Sequence, residues 1–370
     1  MRILVVLKEP PLHEGSAPAR TSLALLRGLA QHGLDVHALA ARQHFSPRDD
    51  SPSDLPVEVV DLAAERPSLP ERLRRPHGQL GREAFIARVR EAARDADVVH
   101  LEETETLWAG EGVAAPTVVH LHYLVRRDRP FAPPWRREGR DLLELVLLER
   151  AALRRQHRLV ASSPLVAAEL RRRAPRATVT VAPLSLDPAH YTAAELGEPV
   201  AGLIGTAAWP PTAAAARRLV RDVWPIVRRA APGARLVVAG RGMRGLLGDA
   251  DGVEVVGSVA SAAEFVAGLG LLLFPLARGS GMKVKTLESL ASGVPVVTTP
   301  AGAEGVEGGD GVVEAETDAE LAAAAAAILR DEGERRERGA AARAAFARRY
   351  APGPATAPLL ELYRQAAGLR

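Results

Sequence analysis

The segment Gly279–Glu288, with the sequence GSGMKVKTLE, carries the residue pattern best suited to chemistry. It follows a short apolar run, which predicts a buried strand that ends in small residues and passes into a helix. Open amides at a helix N-terminus, with the helix dipole, form a site for anions. Lys283 and Lys285 add positive charge, and Glu288 offers a carboxylate that can accept hydrogen bonds from two ribose hydroxyls. The segment therefore predicts a site for a phosphorylated ligand, in preference to a Gly-rich turn with solvated side chains.

Lysine is rare in this chain, which has 45 Arg and only three Lys: Lys8, Lys283 and Lys285. Arg and Lys are not interchangeable where a compact ammonium group must approach a phosphate closely. Two of the three lysines lie two residues apart in one Gly-rich loop. Coincidence is the alternative, but the clustering favours a phosphate-binding role for this loop.

Histidines and acids follow two other apolar runs. His120 and His122 are at the end of the run 117–121, and Glu102, Glu103 and Glu105 follow the run 98–101. Residues two apart on a strand point the same way, and one histidine of this strand-end pair is expected to contact substrate. The three acids could bind an amine-bearing or polyol acceptor, and a solvated acidic loop is an equal alternative for them. Glu102 and His120 are the predicted acceptor residues.

No metal site is expected. His120 and His122 could ligate a metal ion, but no third ligand lies near them in the sequence. Asp249 and Asp251 have the spacing of a metal-binding pair, but they lie between glycines in a predicted turn, where Asp is favoured for local hydrogen bonds.

Two successive arrays of alternating strands and helices would position these residues, which indicates an α/β protein with two doubly wound sheets. We predict an N-terminal domain over 1–188, a second domain over 189–350 and a C-terminal helix in 351–370 that packs back on the first domain. Region 43–82 is expected to be loops around one strand, and 212–229 one helix. In such folds ligands bind at the carboxyl ends of the strands, so a cleft between the domains is the expected site.

Composition narrows the class of protein. The chain has 370 residues, of which 47% are hydrophobic, 25% charged and 4% aromatic, with no cysteine. Disulfides and thiolate chemistry are excluded, which fits a reducing compartment. The opening apolar run stops at Lys8, too short for a signal peptide, and no run is long enough to span a membrane. We therefore expect a cytoplasmic protein.

Residues 126–176 contain 14 Arg and six acids, a local charge of +8. This region could attach the protein peripherally to anionic lipid. A solvated face in an Arg-biased sequence is the favoured alternative.

Several stretches resemble the retaining glycosyltransferases of family 4, also called group 1. Gly252–Gly305, which contains the GSGMKVKTLE segment, is similar to the half of these enzymes that binds the donor nucleotide. The stretch Gly205–Gly240, which opens GTAAWPPT, resembles the start of their second domain with its Trp-Pro turn. Weaker matches are a Gly-containing loop, Glu14–Ala17, and the runs DVVHLE (Asp97–Glu102) and PTVVHLH (Pro116–His122).

The resemblance implies a GT-B fold, with two Rossmann-like domains facing a central cleft. It implies transfer of a sugar from a UDP-, GDP- or dTDP-sugar to an acceptor hydroxyl, with retention and with no metal or other cofactor. Glu288 would bind the ribose, Lys283 or Lys285 would neutralise the diphosphate, and His122 would lie beside the donor sugar and acceptor. The other implied donor-binding residues are Gly15, Ser16, Gly205, Thr206, Arg241, Gly279, Ser280, Gly281 and Met282.

The chain departs from the family pattern in two places. Many members carry a Glu eight residues before the ribose-binding Glu, where this chain has Ser280. The family's cation in the turn that begins at Gly205 is also missing. These departures affect how the transferred sugar is held more than how the nucleotide is bound.

Two other functions stay open at this stage. One is a nucleotide-sugar epimerase on the same fold, which would convert the donor without an acceptor. The other is a non-catalytic relative or a nucleic-acid-binding protein that uses the Arg-rich face. The shortage of aromatic residues and of a recognised nucleic-acid module disfavours nucleic acid.

Overall fold

The computed structural model describes residues 1–43, 54–62, 67–306, 309 and 311–369. The chain divides into two units. The first comprises Met1–Asp187 with Ala351–Arg370, and the second comprises Pro188–Tyr350.

A parallel seven-stranded sheet forms the centre of the first unit, with the strand order β3-β2-β1-β4-β5-β6-β7. The strands are β1 (Arg2–Leu7), β2 (Asp35–Arg42), β3 (Val57–Asp61), β4 (Val98–Leu101), β5 (Thr117–Leu121), β6 (Arg158–Ala161) and β7 (Thr178–Val181). The helices between them are α1 (Ala17–Gln31), α2 (Leu69–Arg74), α3 (Glu83–Ala92), α4 (Val125–Asp128), α5 (Arg137–Arg155) and α6 (Pro164–Arg173).

Helices cover both faces of this sheet because its central strands are apolar on both sides. Alternate residues of β1 enter different cores: Leu4 and Val6 pack with residues of α3, α5 and α6. Ile3 and Val5 pack on the opposite face with α1. This is the doubly wound arrangement that the sequence predicted.

The second unit has a parallel six-stranded sheet with the order β10-β9-β8-β11-β12-β13. Its strands are β8 (Val200–Ile204), β9 (Arg235–Ala239), β10 (Val253–Gly257), β11 (Leu271–Phe274), β12 (Val296–Thr298) and β13 (Val312–Glu314). Its helices are α7 (Pro210–Arg218), α8 (Trp224–Ala230), α9 (Met243–Leu247), α10 (Ala262–Ala267), α11 (Val284–Ser292), α12 (Pro300–Ala303), α13 (Asp318–Arg330) and α14 (Glu332–Ala345).

The last helix, α15 (Pro352–Ala366), belongs to the first unit. Its Leu359 and Tyr363 are buried in the same core as β1. Gly28 of α1 meets the start of this helix, and a Cβ atom there would lie 2.3 Å from the Pro352 carbonyl oxygen. Only a glycine lets the two helices approach this closely.

Some elements differ from the sequence-based expectations. The single helix expected over 212–229 is interrupted by a π turn at Leu219–Val223. Pro225 follows at the start of α8, and because proline has no amide hydrogen, the wider turn accommodates its missing hydrogen bond. The region 43–82 contains α2 as well as the expected strand, while its parts at 44–53 and 63–66 lie outside the described residues. The edge strands β7 and β13 were missed because they are only partly buried and their sequences, TVTV and VVE, lack a continuous apolar run.

Among the described residues, no helix is both long enough and apolar enough to cross a membrane.

Candidate functional site

The segment Gly279–Glu288 joins β11 to α11, as predicted. The Lys283 side chain turns back on this loop, where its Nζ donates to the carbonyl oxygens of Ser280, at 3.0 Å, and Gly281. Lys283 therefore stabilises the conformation of the loop and also adds a positive charge to it. Its position immediately before the helix keeps the positive charge at the N-terminus of α11, where the dipole already favours an anion.

Lys285 connects this loop to the end of another strand. Its Nζ lies 4.8 Å from the centre of the Phe274 ring and 3.5 Å from Thr212 Oγ1. A Cβ atom built on Gly205 would lie 3.7 Å from the same Nζ. The ammonium group is thus held between the carboxyl ends of β8 and β11, the part of a parallel sheet where ligands bind.

Two glycine turns at neighbouring strand ends are packed directly against each other. A Cβ atom on Gly240 would lie 1.7 Å from the Gly205 carbonyl oxygen, so the turn after β9 requires glycine. The next residue, Arg241, is exposed, and its carbonyl oxygen accepts from Ala207 at 2.9 Å. Thr206 is also exposed. The structure therefore brings the predicted donor-binding residues Gly205, Thr206 and Arg241 close to Lys285.

The rest of the predicted donor segment is mostly buried. Ser280 and Glu288 are each 3% exposed, and Met282 is also buried. The Gly281 amide donates to Glu304 Oε1 at 2.8 Å, so this amide already has a protein partner. Sequence reasoning missed Glu304, because a single acid in a Gly/Ala-rich stretch carries no spacing signal.

Gly15 and Ser16 lie in the first unit, between β1 and α1. Ser16 is the N-cap of α1: its side chain accepts from the Ala19 amide and its hydroxyl donates to Glu9 Oε1 at 2.6 Å. Pro18 leaves the first turn of α1 with one amide hydrogen fewer. Ser16 therefore has a structural role in starting α1, and the contact of Gly15 and Ser16 with the donor stays a prediction.

A buried carboxylate, Glu102, holds His122 in place. Glu102 Oε1 lies 2.8 Å from His122 Nε2, while its Oε2 lies 3.0 Å from His120 Nδ1 and 2.8 Å from His100 Nε2. The Tyr363 hydroxyl, from α15, lies 2.7 Å from His100 Nδ1. Three strand-end histidines and the C-terminal helix therefore converge on one carboxyl group.

The hydrogen-bond network assigns the protons on these rings. An ionised carboxylate only accepts hydrogen bonds, so each imidazole must carry a proton on the nitrogen that faces Glu102 and donate through it. Nδ1 of His100 then accepts from the Tyr363 hydroxyl, and Nδ1 is the nitrogen of His122 that does not bond to Glu102. His120 Nε2 is buried with no hydrogen-bond partner among the described residues, and His120 lines a cavity of about 10 Å³.

Electrostatics separate the roles of these groups. Burial alone would raise the pKa of Glu102, but His120 and His122 hold it well below the ordinary value, so the carboxyl group stays ionised. Burial lowers the pKa of His120 to about 4 despite Glu102. Burial would also lower the pKa of His122, yet the Glu102 charge raises it. His122 is therefore more readily protonated near neutral pH than His120.

The network changes the interpretation of Glu102 and His120, which were expected to contact the acceptor. Glu102 is 2% exposed and His120 is 3% exposed, and both are engaged in orienting His122. The sequence had offered no third metal ligand for the histidine pair, but polar atoms of His100, Glu102 and His120 lie within 4.8 Å of one another. The fold thus supplies a metal-compatible cluster, and its atoms are already joined by hydrogen bonds.

The other two acids of the strand-end cluster pair with the third lysine of the chain. Lys8, just after β1, binds Glu103 and lies 3.7 Å from Glu105. Burial raises the pKa of Glu103 to about 7, against the opposing effect of Lys8. Glu103 also has a φ of 67°, an uncommon backbone conformation for a residue with a side chain. These features set Glu103 apart from the solvated acidic loop that the sequence left open.

Sequence reasoning missed His100, Lys8 and Tyr363. Strand alternation could have placed His100 on the same face as Glu102, since the two are separated by one residue. Nothing in the sequence could pair Tyr363 with a residue 263 positions away.

Two doubly wound α/β units, with glycine turns and two lysines at the strand ends of the second, are typical of the class of two-domain nucleotide-sugar transferases. The chain belongs to the group 1 glycosyltransferases of family 4. A model described as "Glycosyl transferase 4-like domain" matches residues 16–185, and one described as "Glycosyl transferases group 1" matches residues 198–331. Neither is a model of an epimerase or of a nucleic-acid-binding protein. The chain is thus a glycosyltransferase with the GT-B fold.

Solved structures with the same fold extend over almost the whole chain. The Anabaena protein HepE, crystallised with UDP and glucose, is 17% identical, with 99% of this chain and 100% of that chain covered and a TM-score of 0.63. Sucrose-phosphate synthase from Thermosynechococcus elongatus is 17% identical, with 98% of each chain covered and a TM-score of 0.70. The catalytic domain of Arabidopsis thaliana starch synthase IV, bound to ADP and acarbose, is 11% identical, with 99% of each chain covered and a TM-score of 0.70. No curated protein matches the chain in sequence at a significant level.

Proposed function

We propose that this glycosyltransferase moves a sugar from a nucleoside-diphosphate sugar to an acceptor hydroxyl, with retention at the anomeric carbon and without a metal ion. The observation that carries the proposal is the position of Lys285. Its ammonium group is held between the Gly205 turn and the N-terminus of α11. This arrangement suits a diphosphate, because amides, a helix dipole and two lysines lie at the end of one sheet.

The donor-binding roles follow from that arrangement. Lys285 neutralises the charge that grows on the diphosphate as the sugar leaves, and Lys283 holds the loop in shape and adds to the field. Glu288 binds the ribose hydroxyls. The remaining Gly279–Met282 backbone, with Gly205, Thr206 and Arg241, surrounds the nucleotide, and Gly15 and Ser16 contact the phosphates or the donor sugar.

His122 serves the sugar or the acceptor through Nδ1, because Nε2 donates to Glu102. When His122 is protonated, Nδ1 donates a hydrogen bond to a sugar oxygen. When His122 is neutral, Nδ1 can accept the proton of the acceptor hydroxyl. Since Glu102 raises the pKa of His122, the hydrogen-bond donor role is favoured near neutral pH.

The donor is a sugar conjugate of UDP, GDP, dTDP or ADP. The first three follow from the family resemblance, and ADP is added because starch synthase IV was solved with it, as HepE was with UDP. The acceptor is a small molecule, a glycan or a lipid-linked compound with a free hydroxyl. We place the reaction in the cytoplasm, in line with the absence of cysteine.

A nucleotide screen tests the proposal. Each nucleoside diphosphate and its sugar conjugate is added to the protein, and the thermal unfolding temperature is measured. A ligand present at about 100 times its Kd should add about 2.7 kcal/mol of stability. If none of the eight types of ligand raises the unfolding temperature, the donor site is wrong.

Product analysis then separates transfer from epimerisation. Incubation with the stabilising nucleotide sugar and a mixture of hydroxyl acceptors should release the nucleotide and keep the anomeric configuration in the product. Turnover should be unchanged by a chelator. Conversion of the donor into a second nucleotide sugar without an acceptor would contradict the proposal.

A further inference from the structure

A groove on the first unit is lined mainly by arginine. It lies between α4, α5 and α6 and has a volume of about 420 Å³. Glu169 is the single carboxylate in its wall, and Leu124 and Leu153 also line it. Its cations are Arg126, Arg127, Arg150, Arg154, Arg172 and Arg173.

Most of this positive charge is unbalanced. Arg172 forms an ion pair with Glu169, and Arg173 binds Glu149. The other four arginines, on α4 and α5, are exposed and have no ion pair or hydrogen bond to any residue in the described part of the chain. Four guanidinium groups around one groove repel one another, and a bound anion would relieve that repulsion.

An apolar stripe continues from the groove along α5. Leu143, Leu147, Arg150 and Arg154 follow one another at intervals of four, three and four residues, which places them on one face of the helix. Leu143 is 50% exposed and Leu147 is 38% exposed. The face therefore changes from leucine to arginine along its length.

Exposed apolar side chains are concentrated here. Trp135 is 77% exposed and Phe131 is 85% exposed, and both lie in the connection that leads into α5. With Leu143 and Leu147 they make up four of the six large hydrophobic side chains that are exposed in the described part of the chain. Such a concentration on α5 and in the segment before it, where the same helix also lines the cationic groove, indicates an interaction surface.

We propose that this surface docks the protein on a bilayer containing anionic phospholipids. The groove takes phosphate-bearing headgroups, and the exposed Trp, Phe and Leu side chains enter the boundary between headgroups and acyl chains. A nucleic acid would use the arginines and the two aromatic rings but would leave the two leucines without a partner, so a membrane fits the surface better. The docking does not depend on sugar transfer.

Vesicle sedimentation tests the docking surface. The protein is mixed with vesicles of phosphatidylcholine, or of phosphatidylcholine with phosphatidylglycerol, and the bound fraction is measured at low and high salt. Binding should require phosphatidylglycerol and should weaken with salt. The double variant Arg150→Ala/Arg154→Ala should bind about tenfold more weakly, because each arginine near an anionic surface contributes roughly a fewfold gain in affinity. Trp135→Ala should weaken binding at both salt concentrations.

The matched control is Arg217→Ala/Arg229→Ala. It removes the same charge from exposed helical arginines of the second unit, and it should bind vesicles like the original protein. Equal losses of vesicle binding in the two double variants would show that only the net charge of the protein matters, which would overturn the proposal. So would the absence of binding to anionic vesicles, equally tight binding of free glycerol 3-phosphate, or binding to RNA alone. Nucleotide stabilisation, measured in parallel, reports separately on the sugar-transfer function.

Discussion

At the residue scale, the central feature of the first unit is a buried carboxylate, Glu102, that orients His122 and raises its pKa. Glu102 is buried, ionised and shared by three imidazoles, and its charge raises the pKa of His122, while burial keeps the pKa of His120 low despite the same charge. A histidine fixed in one tautomer presents a defined atom, Nδ1, to a ligand. Such a group is better ordered for hydrogen bonding than a histidine in solution.

Replacement of the carboxylate tests this arrangement. In Glu102→Gln the larger of the two negative charges that oppose burial is lost and only the smaller effect of Glu103 remains, so the pKa of His122 should fall below its value in the original protein. The free energy of unfolding should fall by about 3 kcal/mol, as hydrogen bonds to a charged buried group are lost. NMR titration of the His122 ring measures the pKa, and denaturant unfolding measures the stability.

Tyr363→Phe is the control for this experiment. It removes the hydroxyl that binds His100 but leaves Glu102 intact, so it should cost about 1 kcal/mol and leave the His122 titration nearly unchanged. An unaltered His122 pKa in Glu102→Gln would show that the carboxylate does not tune this ring.

His120 gives a second prediction at this scale, for stability against pH. Its pKa is lowered to about 4 in the folded chain, while it is ~6.5 in an unfolded one. Between these pH values the unfolded chain binds a proton that the folded chain does not. The contribution of neutral His120 to the free energy of unfolding is therefore fully present above pH ~6.5 and is lost as the pH falls through 4. His120→Asn should therefore lose less stability over this window than the original protein. Parallel losses would contradict the assignment of a neutral, buried His120.

At the element scale, the second unit builds its site from close contact between strand ends. The Gly205 and Gly240 turns touch through backbone atoms, and Lys285 reaches the same point from α11. Because the turns are in contact, a side chain in one would displace the other and move the ammonium group.

Gly240→Ala tests this contact. The added Cβ atom would lie 1.7 Å from a carbonyl oxygen, and Gly240 also has a φ of 132°, so we expect a loss of about 3 kcal/mol in the free energy of unfolding and weaker nucleotide binding. Gly233→Ala is the control, since a Cβ atom there has no neighbour within 4 Å. Denaturant unfolding compares the two, and equal stabilities would show that the turns are not in tight contact.

At the scale of the whole molecule, the sequence predicted the elements that have a strong local pattern. The apolar runs of β1, β4, β5, β8 and β11 and the change from strand to helix at Gly279–Glu288 were sufficient to predict two doubly wound sheets. The family resemblance added the class of reaction. The edge strands β7 and β13 were missed because they include polar residues and are only partly buried, so they lack the continuous apolar run of the similarly short β11.

The contacts that define the site could not be predicted in the same way. Glu102 and His122 were recognised as candidates, but their pairing depends on β4 and β5 being neighbours in the sheet. The contribution of Tyr363 depends on α15 belonging to the first unit. The contact of Glu304 with the Gly281 amide depends on a turn after β12. Each is a long-range contact set by the tertiary fold.

The most direct test of the central claim, a diphosphate site at the start of α11, is calorimetric titration with the nucleoside diphosphate that stabilises the protein best. Lys285→Ala should raise the Kd by tenfold or more, since a partly buried cation bonded to phosphate contributes about 1.5–3 kcal/mol. Arg217→Ala, which removes an equal charge from an exposed face of the second unit, should leave the Kd unchanged. Equal Kd values for Lys285→Ala and the original protein would contradict the account.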